Sequence, residues 1–133
     1  MSLSTWLKEF APKQKIKKGD NLVALKYVQR KWTGALPENL VRHHLHWESG
    51  GSIREDRKPH RAYYFDADTC ILCDWYHPTS APCKNCPLTV ETGHRCDEGR
   101  LSSPWHSFTR VNDPKPMLTL ISDALVREEY LAL

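Results

Sequence analysis

Two C-x2-C pairs, Cys70-Ile71-Leu72-Cys73 and Cys83-Lys84-Asn85-Cys86, stand nine residues apart in the middle of this 133-residue chain. Two residues between cysteines let the backbone turn tightly enough for both sulfurs to face one point. Two such turns supply four thiolates, a tetrahedral shell for zinc. The surrounding sequence needs that ion. Between positions 74 and 112 the only aliphatic residues larger than alanine are Leu88, Val90, Leu101 and Val111. So little apolar surface does not offset an ordering cost of roughly 1.5 kcal/mol per residue. Structural zinc supplies about 10–16 kcal/mol in small modules. Cys70, Cys73, Cys83 and Cys86 are therefore the expected ligands of a structural Zn2+. Cys96, nine residues beyond Cys86, competes for the fourth position, as do His94, His77 and His60, and spacing alone leaves that choice open. An iron–sulfur cluster is the poorer match, because symmetrical C-x2-C pairs in a loop-rich segment suit zinc.

The remaining chemistry of the chain agrees with this use of cysteine. Five cysteines, an odd number with no secretory leader pattern before them, argue against a disulfide framework and for a reducing compartment. No run approaches the roughly 20 apolar residues of a membrane span. A cytoplasmic protein without a membrane partner is expected. The formal charge is +3. Four thiolates remove four charges and the ion restores two, leaving +1, which is weak support for a phosphate-rich partner.

Length suits a single domain over 1–133. Residues 1–50 have helical character. Leu3, Trp6, Leu7 and Phe10 recur at helical spacing until Pro12, although the opening Met1-Ser2-Leu3 is given no structural weight. After the basic run Lys13, Lys15, Lys17 and Lys18, Asp20 is the expected N-cap of a second helix with Leu25, Val28 and Trp32 on its face and Gly34 as its stop. Pro37 opens a third helix, with Leu40, Val41, Leu45 and His44 inward, that runs to Gly50-Gly51. Residues 52–110 form a hairpin and zinc-knuckle region. Its strands are Ser52-Ile53-Arg54-Glu55 and Arg61-Ala62-Tyr63-Tyr64-Phe65, joined near Asp56 to Pro59. Residues 114–133 close with a helix over 116–132 whose stripe is Leu118, Ile121, Leu125 and Glu128, with Met117, Leu120 and Ala124 beside it. The expected fold is small, helix-rich α+β with a short β-hairpin and a zinc-stapled, loop-rich knuckle region.

Over about residues 70–108 the pattern Cys70-x-Leu72-Cys73, Cys83-x-x-Cys86-Pro87-Leu88, Gly93-x-x-Cys96 and Ser103-Pro104-Trp105 resembles small proteins encoded by tailed bacteriophages and prophages. Such proteins have no established activity. The resemblance implies a viral origin, a bacterial host cytoplasm and a metal site rather than a reaction.

A second resemblance points to an enzyme. His46-Trp47-Glu48 matches H-x-E and Pro82-Cys83-Lys84-Asn85-Cys86 matches P-C-x-x-C, the zinc-deaminase signature. It would make His46, Cys83 and Cys86 ligands and Glu48 the proton shuttle. Against it, Gly50-Gly51 follows where a helix should begin, prolines flank the second motif, and Cys70 and Cys73 are left without a role.

Other features have plain structural readings. His43, His44 and His46 are expected at the surface or boundary of a helix. Lys26, Arg30 and Lys31 lie on the solvated side of the second helix, away from its apolar stripe. Arg54, Arg57, Lys58, His60 and Arg61 form a basic cluster diluted by Glu55 and Asp56. Trp6 and Trp32 suit helix packing, while Trp75 and Trp105 are placed to cover the metal site. The leading expectation is a zinc-stabilised phage or prophage accessory protein that binds a host or viral protein and catalyses nothing. A nucleic-acid-binding zinc module using the basic N-terminal third is the alternative, and a deaminase-like enzyme the further one.

Overall fold

The computed structural model describes residues 2–48, 51–58, 61–65, 71–76, 86–88 and 113–133. Helix α1 (Leu3–Phe10) begins with a reciprocal cap. The Ser2 hydroxyl accepts from Thr5 N–H, and the Thr5 hydroxyl accepts from Ser2 N–H at 2.8 Å. Ser2 and Leu3, given no weight in sequence, are thus a cap and a core residue. α2 (Asn21–Thr33) starts at the expected cap, with Asp20 Oδ1 accepting from Val23 N–H at 3.2 Å. It buries Ala24, Leu25, Val28 and Trp32. α3 (Pro37–Arg42) has its proline in the first turn, where the missing N–H costs nothing.

The third helix stops well short of Gly50-Gly51. His43 ends it, His44 takes the left-handed conformation (φ 57°), and the chain turns into strand β1 (Leu45–Glu48). Leu45 and Trp47 face the core while His46 and Glu48 stay half exposed. That alternation has a strand's period of two, and it overrides the helical reading of the last part of 1–50. β2 (Ser52–Glu55) and β3 (Ala62–Tyr64) form the expected hairpin, and β1 extends it to an antiparallel sheet in the order β1-β2-β3. Register sets Trp47 against Ile53 and Ile53 against Tyr63, a row on the core face. Leu45 pairs with Glu55, so the same rule turns the Glu55 side chain inward.

α4 (Ile71–Tyr76) is a helix where only loops were expected, with Leu72 and Trp75 buried. α5 (Lys115–Leu131) packs along α2. Its buried stripe is Met117, Leu120, Ile121 and Ala124, with Leu118 and Leu125 only partly covered. The expected stripe is therefore rotated by about one residue, because α2 sits against the Met117 side. α2 touches α1, α4 and α5 and is the hub of the fold.

Between helices and sheet lies an aromatic core centred on Phe65, which is 1% exposed. Its ring stands 4.8 Å from Trp32, 5.3 Å from Tyr63, 5.4 Å from Trp47 and 5.9 Å from Trp6, centroid to centroid. Lys31, expected on the solvated side of α2 with Lys26 and Arg30, is instead buried and places its ammonium 5.5 Å from the same ring, a cation–π contact. Trp6 Nε1 donates to Gly34 O at 2.9 Å, joining α1 to the end of α2. No helix among the described residues is long and apolar enough to cross a membrane.

Candidate functional site

Cys73 lies within α4, and Cys86 is buried, with Pro87 and Leu88 beside it in the core. Beside Cys86 lies Tyr76, the last residue of α4. Its hydroxyl is held above the ordinary tyrosine pKa, first by burial and then by the neighbouring charges of Cys86 and Glu128, against a hydrogen bond to Asn21 that acts the other way. Tyr76 is one helical turn from Cys73 along α4, so Cys86 sits beside the helix that carries Cys73. Cys70 and Cys83 lie outside the described residues, as do Cys96, His94, His77, His60 and Trp105. Among the described residues no group of three or more His, Cys, Asp or Glu side chains is placed to hold a metal. The donor set itself fits zinc: thiolates from two pairs, with one of them, Cys86, in an apolar surround. Trp75, expected as a cover for the metal, is a core residue of α4, 7% exposed.

The three histidines expected on one helix are dispersed. His43 is buried between α1 and the end of α3. Its Nδ1 is 2.8 Å from Thr5 Oγ1 and its Nε2 3.3 Å from Glu9 Oε1. The Glu9 carboxylate can only accept, so the His43 Nε2–H donates to it. Glu9 also holds Arg42 on the surface, and that pairing, with His43 adding to it, keeps the Glu9 carboxyl below its ordinary pKa. His44 is exposed. His46 projects from β1 between two carboxylates, with Asp56 Oδ1 2.7 Å from Nδ1 and Glu48 Oε1 3.0 Å from Nε2. Those bonds, Asp56 first, raise its pKa above the ordinary histidine value.

This placement bears on the deaminase signature. The H-x-E of that site opens a helix. Here His46 and Glu48 lie on β1, and both imidazole nitrogens face carboxylates.

Arg57, Lys58 and Arg61 of the hairpin's basic cluster line a cavity of about 340 Å3 with Ser2, His44 and Glu55. The two acids that dilute it in sequence are engaged elsewhere. Asp56 is turned to His46, and the buried Glu55 accepts Leu3 N–H at 2.8 Å, capping α1 from across the sheet. Arg57, Lys58 and Arg61 are exposed and have no carboxylate within ion-pair distance among the described residues. The lysines of the loop after α1, Lys13, Lys15, Lys17 and Lys18, are also exposed. Sequence reasoning missed Glu55 as the α1 cap. Its signal was available in the period-two register of β2, once β1 is recognised as its partner.

Compared with known proteins, the chain matches no family model, no curated protein and no solved structure.

Proposed function

We propose that the chain is a zinc-stapled accessory protein of phage or prophage origin, acting in the bacterial cytoplasm by binding a host or viral protein. Cys70, Cys73, Cys83 and Cys86 would hold the ion. A complete cysteine shell leaves no open position for water, so the metal's contribution is to folding rather than to a reaction. The burial of Cys86 beside α4 supports this ligand set.

The observation that carries the binding role is the exposed end of α5. Val126 is 67% and Tyr130 74% exposed, four residues apart on the face opposite the Met117–Ile121–Ala124 stripe, with Leu131 at 64% beyond them. Tyrosine flanked by aliphatic residues is the composition of an interface anchor, because its ring brings a large contact area with few torsions to freeze. The test pairs the native chain with a Val126→Glu/Tyr130→Glu variant whose unfolding midpoint is unchanged. Proteins captured from a phage-infected lysate by the native chain are lost with the variant. Capture of the same set by both chains overturns the reading. So does a native dimer that becomes monomeric in the variant, because a second copy would then cover the patch.

A nucleic-acid partner is the second reading, favoured by the exposed Lys13, Lys15, Lys17 and Lys18. It requires affinity for DNA or RNA that falls steeply with salt.

A further inference from the structure

The cavity between the hairpin and the start of α1 has the composition of an anion site. Backbone hydrogen bonds tie the flanks of the β2–β3 connection to one another and to the turn before β1. Asp56 N–H donates to His44 O at 3.0 Å, Arg61 N–H to Lys58 O at 2.9 Å, and Glu55 N–H to Arg61 O at 3.3 Å. These bonds tie the backbone at Asp56, Lys58 and Arg61, so the flanks that carry Arg57, Lys58 and Arg61 are anchored before a ligand arrives. Among the described residues, three cations share one cavity with a single carboxylate, Glu55, which is buried and already occupied by Leu3 N–H. Like charges gathered without acid partners repel one another, a cost that a bound anion removes.

The geometry also assigns His44 to this wall. It is the only non-glycine among the described residues with positive φ, at 57°. A histidine in that region costs of order 1 kcal/mol, and such strain gathers where a side chain must be aimed. Here it turns the chain from α3 to β1 and leaves an exposed imidazole at the cavity. The α1 terminus adds little to the site, because its first amides are consumed by Glu55 and the Ser2–Thr5 cap. The recognition belongs to the side chains.

We propose that this cavity binds a phosphate group, with Arg57 and Arg61 gripping its oxygens through their planar forks, Lys58 as a point charge, and His44 and Ser2 as hydrogen-bonding groups. Arginine matches phosphate because two parallel N–H groups meet two oxygens. The volume exceeds one phosphate and falls at the small end of pockets that hold compact organic ligands. The phosphate can belong to a small phosphorylated molecule or to a nucleic-acid backbone. The site is separate from the α5 patch, and its failure leaves the protein-binding reading untouched.

The experiment is calorimetric titration of the zinc-loaded chain at low salt with pyrophosphate and with a short single-stranded oligonucleotide. Arg57→Ala/Arg61→Ala is compared with Lys15→Ala/Lys17→Ala. Both arginine side chains are exposed and unpaired among the described residues, so the first variant keeps the native unfolding midpoint. Binding of pyrophosphate that weakens about tenfold or more in the arginine variant, and not in the lysine variant, is the expected result. Pyrophosphate binding alone identifies a small phosphorylated ligand. Oligonucleotide binding that pyrophosphate displaces, with the same arginine dependence, identifies a nucleic-acid backbone. No binding of either probe, or binding that the arginine variant leaves unchanged, overturns the proposal.

Discussion

Replacing Phe65 removes the residue that ties the sheet to the helices. Its ring is 1% exposed and lies against Trp6, Trp32, Trp47 and Tyr63, with the buried Lys31 ammonium 5.5 Å away. Truncating a buried phenylalanine to alanine costs about 3–5 kcal/mol through lost transfer energy and the cavity left behind. The rigid indoles around it cannot collapse into the space, so the low end of that range does not apply and about 4 kcal/mol is expected. Phe65→Leu retains most of the apolar volume and loses the ring–ring contacts, each worth about 0.5–1.5 kcal/mol and not additive, so about 2 kcal/mol is expected. Domains are stable by only about 5–15 kcal/mol, so the alanine variant loses much of the total. Urea unfolding of the purified protein, followed by tryptophan fluorescence, measures both. With a slope of about 2 kcal/mol per molar, the midpoint falls by about 2 M for alanine and about 1 M for leucine, at constant slope. An alanine variant that loses under about 1 kcal/mol would refute the central position given to Phe65.

Three further outcomes follow from local geometry. A Cβ added at Gly34 would sit 2.5 Å from Phe10 Cγ and 2.7 Å from Phe10 Cβ, so Gly34→Ala should destabilise by about 2–3 kcal/mol in thermal unfolding, with α1 forced off α2. Glu55→Ala strips Leu3 N–H of its acceptor and should cost about 1–2 kcal/mol, with faster amide exchange at Leu3; Glu55→Gln keeps an acceptor and should cost less. His46 has a folded pKa above its ordinary value, so the pairing with Asp56 and Glu48 stabilises below about pH 6.5 and is lost as pH rises through the folded value. Because those groups are 39–50% exposed, the deficit of His46→Gln should be only about 0.2–1 kcal/mol at pH 6 and vanish near pH 9, read from midpoints across pH. A deficit that grows with pH would contradict the pairing.

The elements set by local chemistry were legible in the sequence. Asp20 caps α2, Pro37 opens α3, and the hairpin strands fall at 52–55 and 62–64, because caps, proline and alternation act over a few residues. β1 was hidden because Leu45, His46, Trp47 and Glu48 are a short run that only the β2 edge stabilises, and edge pairing is not a local property. The same distance effect governed the charges. Asp56 and Glu55 look like neutralisers of Arg57, Lys58 and Arg61 along the chain, yet one is drawn to His46 on another strand and the other to the start of α1. In the cysteine region, the spacing gave no hint of α4. Its helix rests on Leu72 and Trp75 finding α2 and the core, contacts made far along the chain.

The most direct test of the zinc staple is metal analysis of purified chain, with Cys86→Ser and Cys73→Ser beside it. One tightly bound zinc per native chain, reduced occupancy in both variants, and unfolding of the cysteine region on chelation are required. A folded native chain that carries no zinc, with its cysteine thiols all open to alkylation, would contradict it.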